Sequence, residues 1–458
     1  MSISKTRVVL VIPSSERVKV LRTAYSPPLG LMSIGASLLQ GDSNVGVLVV
    51  NGELCSTEDA CIKDILAYKP NIVGISTNVG CYRAALNIAK KLKAHQNKYR
   101  VVLGGPYVST MWRECLINRP YIDNCVVGDG ETPMVELVRG TSPENIAGLA
   151  TRDSSGEPRL TPQIDFPLDN YPDPDWSLIN AITYQEAYRQ TYKQFDAVSA
   201  SINAMKGCRW QERSGGCIFC ALLRSKLRER SPERVWQEIN RMYDIYGCNH
   251  FWELSDTIGC DIEWLRRFNL LKPSRLISFR GYLRSSEATT ESVKLLQSLG
   301  YNELFIGIES GDDTVLKAAN KGSSIAMNKR ATVLLKDAGI KTFASVILGL
   351  PGESRQSLQA TYDHVCDLFE NGMNTLSVCV FAPYVGSRAF FRLLKDEKIG
   401  DQYRSSDVFD WPLFSRLWVQ TQCVCEWSDI VEYSKRLNSI PSSLYEDNFS
   451  YVEREYDI

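Results

Sequence analysis

The sequence predicts an α/β chain: a doubly wound, Rossmann-like domain, then a partial (βα)6 barrel, then a helical C-terminal extension. Three observations predict it. Short continuous apolar runs alternate with segments of helical period through residues 1–150. The alternation restarts near residue 196 and runs to about 392. A stretch rich in proline and aspartate separates the two series, and an aromatic, charged tail occupies 393–458. Strands buried on both faces read as continuous apolar runs, and helices between them imply βαβ crossovers and a parallel sheet.

In the first series the strand-like runs are 7–12 (RVVLVI), 45–50, 71–77 (NIVGIST), 101–104 (VVLG) and 124–127. Residues 29–40, 58–68 and 83–96 have helical spacing. Residues 151–195 are expected to link the domains, because GEPRLTPQIDFPLDNYPDPDW (156–176) is punctuated by prolines that remove backbone donors and restrict their neighbours. In the second series the strand candidates are 197–202, 250–254, 276–280, 304–308, 342–348 and 375–380. Helical segments fall at 232–246, 262–271, 290–299, 324–338 and 354–371. Pro232 after Ser231 is a helix start, and Gly300 and Gly339 are helix stops. In barrels of this kind the chemistry sits at the carboxyl ends of the strands.

Composition narrows the class. Apolar residues are 44% and charged residues 23%, which excludes a disordered or collagen-like chain. The 52 basic residues balance 53 acidic ones, which counts against nucleic acid or an acidic membrane surface as partner. No apolar run reaches the roughly 18–20 residues of a membrane span, and MSISKTRVVLVIP lacks the flanks of a secretory signal. A cytoplasmic location is expected. Cytosolic thiols stay reduced, so the 14 cysteines are not read as a disulfide framework. With only His95, His250 and His364 present, any metal chemistry must lean on sulfur.

The strongest chemical signal is GCRWQERSGGCIFC, which follows the first strand of the second series. It spaces Cys208, Cys217 and Cys220 by eight and then two residues. A Cys-x-x-Cys pair plus a third thiolate from one loop can hold three corners of a [4Fe–4S] cluster and leave one iron open. Gly215 and Gly216 allow the loop to turn. A structural zinc site remains open at this point, with a fourth ligand from Cys248, Cys260 or His250. So does a set of buried thiols. Cys423 and Cys425, and the cysteines of the first domain, read as core or loop residues.

Later segments extend the signal: FWELSDTIG, FIGIESGDDTVLKAANKG, SVILGLPGES and FAPYVGSRAF, in that order at strand ends over 196–391. With the cysteine loop, this second domain resembles the radical S-adenosylmethionine (SAM) superfamily. The usual family spacing is three then two residues; this chain departs from it with eight. The resemblance implies that Cys208, Cys217 and Cys220 ligate the cluster, whose open iron chelates SAM. It implies that Phe219 lies near the adenine and that Glu309 meets the SAM ammonium or ribose. Ser255 and Asp256 are candidates for the same ligand, and Arg280 for its carboxylate. Gly349 and Leu350 would line the adenine pocket, with Tyr384 offering backbone contacts.

The first domain lacks Gly-x-Gly-x-x-Gly after its first strand and has no P-loop, so a nicotinamide site is poorly supported. Its strand-end motifs are SPPLGLMSIG, GISTNVG, LGGPYVS and VGDGET. These are similar to the cobalamin-binding domain that precedes many radical SAM domains, over roughly 5–140. Asp-x-His-x-x-Gly is absent, which implies cobalamin without a histidine ligand. Leu29, Gly30, Ser76, Thr77, Gly104, Gly105, Pro106, Gly128 and Glu131 are the implied cobalamin neighbours.

The resemblance therefore implies a cobalamin-dependent radical SAM enzyme. The reaction it implies is methylation of a poorly activated carbon: a 5′-deoxyadenosyl radical abstracts hydrogen and methylcobalamin supplies the methyl group. Ring contraction, cyclisation or rearrangement with the same cofactors is the alternative, and a non-catalytic cobalamin or metal sensor is a second. A tRNA substrate fits the neutral charge poorly. A small-molecule or peptide substrate is expected, and an electron donor such as flavodoxin or ferredoxin. Trp411, Trp418 and Trp427 in the tail are expected to pack on the barrel.

Overall fold

The computed structural model describes residues 5–15, 26–96, 98–191, 198–222, 226–397, 399–400, 403, 410–441 and 449–450. The terminal YVEREYDI lies outside them. The chain divides into two compact units, Met1–Ala197 with Gly400–Phe409, and Val198–Ile399 with Asp410–Ile458.

The first unit is a sheet of β1 (Thr6–Ile12), β2 (Val45–Asn51), β3 (Ile72–Ser76), β4 (Arg100–Gly104), β5 (Asn124–Val126), β6 (Leu149–Arg152) and β7 (Pro158–Leu160). Strand order is β2-β1-β3-β4-β5-β6-β7, with β1 to β5 parallel and β6 and β7 antiparallel. The order reverses between β1 and β3, and a doubly wound sheet opens its ligand crevice at such a switch point, beyond the carboxyl ends. Val8, Leu10, Ile72, Val102 and Val126 pack with Leu31, Leu38 and Met134 of the helices to form the core. That is why the strands read as apolar runs.

Helices Leu29–Gly41, Glu58–Ala67 and Tyr82–His95 lie where the period placed them. Helices Pro106–Asn118 and Glu131–Val138 were not expected. Their first turns sit inside the motifs GGPYVS and GDGET, whose glycines read as loop. The stretch expected as a linker falls with the first unit. Pro158 opens β7, which pairs with β6 at the edge of the sheet; a proline is tolerated at the first residue of an edge strand. Farther along, Trp176 is buried and Tyr184 Oη accepts from Asn51 Nδ2 at 3.1 Å.

The second unit is a parallel sheet of β8 (Ser199–Ile202), β11 (His250–Glu253), β12 (Ser278–Leu283), β13 (Tyr301–Glu309), β14 (Lys341–Leu348), β15 (Thr375–Val380) and β16 (Phe449–Ser450). They neighbour in chain order, with β8 at one edge and β16 at the other. A short antiparallel pair, β9 (Met205–Lys206) and β10 (Arg228–Glu229), frames the cysteine loop. On one face, Phe251 and Phe279 meet Trp236 and Phe268 of the covering helices. On the other, Trp252, Tyr282, Phe305 and Phe343 form a row of rings across four strands.

Two differences from the expectation matter. β16 adds a seventh strand, too short to carry a sequence signal. β12 ends at Leu283 rather than at 280, so Arg280 is a mid-strand residue. The tail forms helices Trp411–Gln422 and Trp427–Asn438, and Trp418 is fully buried, its Nε1 donating to Gly349 O at 2.9 Å. Trp411 meets Tyr384 edge-on, and Trp427 lies under Arg416. Among the described residues no helix is long and apolar enough to cross a membrane.

Candidate functional site

Cys208 caps the amino end of the short helix Arg209–Ser214, which Gly215 closes at φ 77 and Gly216 continues at φ 76. Left-handed backbone at two successive positions is what only glycine adopts readily. The chain then turns through Cys217 and Cys220, with Cys220 N donating to Cys217 O at 3.2 Å. Cys208 and Cys217 are buried, Cys220 half-buried, and none is in a disulfide. Burial pushes the Cys220 thiol up to about 11, and Cys217, Asp256 and Cys208 add like charge. Thiolates crowded in this way need a cation to stabilise them.

Strand ends hold the loop from one side. Ala204 N donates to Glu253 Oε1 at 3.0 Å, Met205 N to Ser255 Oγ at 2.8 Å, and Gly207 N to Asp256 Oδ2 at 2.8 Å. Ser255 is fully buried and its hydroxyl also donates to Glu253, so its polar capacity serves the loop rather than a ligand. Asp256 is exposed beside it. Residues after β13 hold the other side. Asn320 Nδ2 donates to Gly216 O at 2.6 Å, Trp210 Nε1 donates to Asn320 O at 2.8 Å, and Arg388 donates to Gly216 O at 2.7 Å.

Glu309 ends β13 in left-handed backbone, φ 65, at a register shift against β14. Such a conformation is unfavourable for a side-chain-bearing residue and persists only where its surroundings fix it. Lys321 Nζ donates to Glu309 Oε1 at 2.7 Å, and Ser345 Oγ to Oε2 at 3.3 Å. Gly307 is required beneath them, since a Cβ there would collide with both the Glu309 carboxylate and Lys321 Nζ. Lys321 Nζ also lies 5.7 Å from the Phe219 ring centre. Phe219 in turn packs on a cluster of Ile218, Leu350, Phe381 and Trp418. One glutamate, one lysine and the aromatic ring between two cysteines are thus gathered beside the loop.

The turn after β14 is closed from within. Gly349 adopts φ 91, and Gly349 N and Leu350 N donate to Glu353 Oε2 at 2.8 and 3.3 Å. Burial pushes the Glu353 carboxyl up to about 7, against the pull of those donors and Ser357. Leu350 is buried, and Tyr384 is exposed with its carbonyl accepting from Ser387 N at 2.9 Å.

In the first unit, Gly105 adopts φ 90 and crosses over Thr77: a Cβ there would lie 2.5 Å from Thr77 O and 2.7 Å from Thr77 N. Thr77 is fully buried, its Oγ1 donating to Gly104 O at 2.7 Å and accepting from Val108 N at 3.3 Å. Gly128 N donates to Ser109 Oγ at 3.1 Å. Glu131 is buried and accepts from Ser33 Oγ at 2.8 Å, tying two helices together. Gly30 and Pro106 are exposed, and Gly30 faces open space. Leu29, Ser76, Gly104, Gly105 and Gly128 are half-buried. Thr77 and Glu131 are thus buried residues hydrogen-bonded within the protein.

The family description "Radical SAM superfamily" matches residues 202–365, and "B12 binding domain" matches 19–138. The chain is a radical SAM enzyme with a B12-binding domain. It is 27% identical to an uncharacterized methyltransferase of Pyrococcus horikoshii, over 83% of this chain and 82% of that one. It is 27% identical to an anaerobic magnesium-protoporphyrin IX monomethyl ester cyclase of Cereibacter sphaeroides, over 64% of this chain and 49% of that one. Among solved structures it shares its fold with the radical SAM methyltransferase TsrM of Kitasatospora setae, solved with cobalamin and a [4Fe-4S] cluster. That match has a TM-score of 0.67 at 16% identity and covers 86% of this chain and 75% of that one. The cofactors of such a chain are a [4Fe–4S] cluster, SAM and cobalamin.

The residues of the radical SAM domain fit the cluster. The donor set is three sulfurs on one glycine-turned loop, with cationic side chains alongside. Among the described residues no three His, Cys, Asp or Glu converge as ligands of a single metal ion. Cys260, weighed as a zinc ligand, donates its thiol to Met205 Sδ at 3.7 Å, and His250 Nδ1 is 2.8 Å from Ser278 Oγ. The B12-binding domain fits a cobalamin without histidine: His95 sits in the last turn of its helix, stacked on Tyr99, and not after β1.

Arg280 lies inside β12 and not at its end, where the apolar run had placed it. It is fully buried mid-strand, 3.4 Å from Glu303, with its guanidinium over the Trp252 and Phe305 rings. The cation at the end of β12 is Arg284, whose Nη1 is 3.8 Å from Cys217 Sγ. Lys321, Asn320 and Trp210 were missed as well. Asn320, Lys321 and Gly322 lie in the ANKG run of a segment singled out for Glu309. Arg284 was legible only with the correct strand end.

Proposed function

We propose that this chain is a cobalamin-dependent radical SAM methyltransferase acting on a poorly activated carbon of a small molecule or peptide. The observation that carries the reading is the three-cysteine loop pinned beside the Glu309–Lys321 pair, in a chain that also has a B12-binding domain. When bound, the cluster and SAM supply homolytic carbon–sulfur cleavage, and cobalamin supplies a transferable methyl group.

The chain's own residues bind and orient. Cys208, Cys217 and Cys220 hold the cluster. Phe219 and Leu350 form an apolar wall for the adenine, with the Gly349 turn behind them. Glu309 presents an acceptor to the SAM ammonium or ribose, held in line by Lys321 and Ser345. Asp256 is the exposed carboxylate at the neighbouring strand end, and Ser255 keeps its backbone in place. Tyr384 offers its ring rather than its carbonyl. Leu29, Gly30, Ser76, Gly104, Gly105, Pro106 and Gly128 face cobalamin, backed by Thr77 and Glu131. Arg280 orders the ring layer beneath the site. Preset orientation of this kind removes much of the entropic barrier to a multi-component reaction. A flavodoxin or ferredoxin supplies the electron, in the cytoplasm.

The cyclase relative favours a second reading, rearrangement or cyclisation without methyl transfer. Anaerobic turnover with methyl-labelled SAM, a reductant and fractionated anaerobic extract separates the two. The proposal expects methionine, 5′-deoxyadenosine and S-adenosylhomocysteine together, with label in a new product. Deoxyadenosine without label transfer, in protein loaded with cobalt, would select the cyclisation reading. No SAM cleavage by iron-loaded, reduced protein would overturn both.

A further inference from the structure

We propose that Arg284 sets the reduction potential of the cluster by donating a charged hydrogen bond to Cys217. The inference rests on the cluster reading of the cysteine loop. Arg284 directly follows β12 and is buried. Its guanidinium is aimed by three contacts besides the sulfur. Nη2 donates to Lys321 O, Nε lies 3.9 Å from Glu287 Oε1, and the group sits 5.5 Å over the Trp210 ring. Trp210 is itself fixed, its indole nitrogen on Asn320 O at 2.8 Å and its ring against Gly322, where a Cβ would collide with it. A planar fork held on its other edges cannot swing away, so Nη1 stays 3.8 Å from Cys217 Sγ.

Reducing a cluster adds negative charge, much of it on sulfur. A buried cation donating to one ligand sulfur stabilises the reduced form more than the oxidised one. The neighbouring cation differs: Lys321 Nζ is committed to the Glu309 carboxylate at 2.7 Å. Arg284 is the buried cation in contact with a ligand sulfur among the described residues.

The test is a spectroscopic redox titration of the cluster in full-length, anaerobically reconstituted protein without SAM, with iron and sulfide measured on every sample. Arg284→Gln is expected to lower the reduction equilibrium constant at least tenfold, about 59 mV for one electron. Arg284→Lys keeps the charge but loses the fork, and its midpoint is expected between the two. An Arg284→Gln midpoint equal to wild type at full iron content overturns the inference. Should the Gln variant fail to load iron, an Arg284→Lys midpoint below wild type supports the inference and an unchanged one overturns it. Wild-type protein that takes up no iron refutes the cluster reading itself, a result distinct from either.

Discussion

The carboxyl ends of the two sheets solve the same problem by different means. In the first unit the loops are held by backbone and hydroxyl groups: Gly105 over Thr77, Thr77 on Gly104, Gly128 on Ser109. In the second, buried ionisable groups recur: Glu253 under the cysteine loop, Lys321 on Glu309, Arg284 by Cys217, Glu353 across its turn. Small neutral supports suit close approach of a large cofactor. Buried charges suit a site that must fix an ionic ligand and a redox centre, because low dielectric strengthens each contact. They also carry a desolvation penalty that neutral supports avoid.

That difference can be broken from its charged side first. Glu309→Gln leaves Lys321 buried opposite a neutral amide. Removing one member of a buried pair costs about 3–5 kcal/mol. SAM affinity should fall at least tenfold, about 1.4 kcal/mol, while iron content holds. Equilibrium dialysis with SAM reads the first, and unchanged affinity would remove Glu309 from the site. Next, Gly307→Ala and Gly105→Ala probe the two kinds of support directly. Each forces a Cβ into a filled space, and overpacking costs about 1–3 kcal/mol. Gly307→Ala should also weaken SAM binding, and Gly105→Ala should weaken cobalamin retention instead. Urea unfolding plus cofactor content checks both, and crossed effects would dissolve the contrast.

A smaller effect follows from Glu353. Burial holds its carboxyl up at about 7, above the ordinary glutamate value, so the fold binds this proton more tightly than the unfolded chain. Its contribution is fully present below about pH 4.5 and is lost as pH rises through about 7. Stability should therefore decline from pH 5 to 7, by about 1.4 kcal/mol per unit at the steepest. Glu353→Gln should flatten that slope in urea melts at several pH values. The smallest effect belongs to the surface. Arg355 pairs with Asp429 and Glu432 in the open, where solvent screens the pairs, so Arg355→Ala should leave the urea midpoint and SAM binding unchanged.

Legibility in the sequence followed the same physics. Buried parallel strands produce unbroken apolar runs, so short stretches such as RVVLVI declared their strand plainly. The helix at Pro106 did not, because its first turn is built from the glycines and proline that shape the crevice. β16 is two residues long and has no periodicity to detect. The three cysteines of the loop were legible as a candidate metal site because thiolate chemistry restricts residue type and spacing. Arg284 was not, because the apolar run ends at 280 whereas hydrogen bonding carries β12 on to Leu283. Ser255 and Thr77 fall just beyond strand ends, and Glu131 opens a helix. Only the fold shows the hydrogen bonds each makes within the protein.

The central claim is that Cys208, Cys217 and Cys220 hold an iron–sulfur cluster in a chain that also takes up cobalamin. Metal and sulfide analysis of anaerobically prepared protein, produced with added cobalamin, tests it most directly. The account predicts about four irons and four sulfides with one cobalt per chain. It predicts that joint replacement of the three cysteines by alanine removes the iron and sulfide and spares the cobalt. Zinc in place of iron, or iron retained without the three thiols, would contradict it.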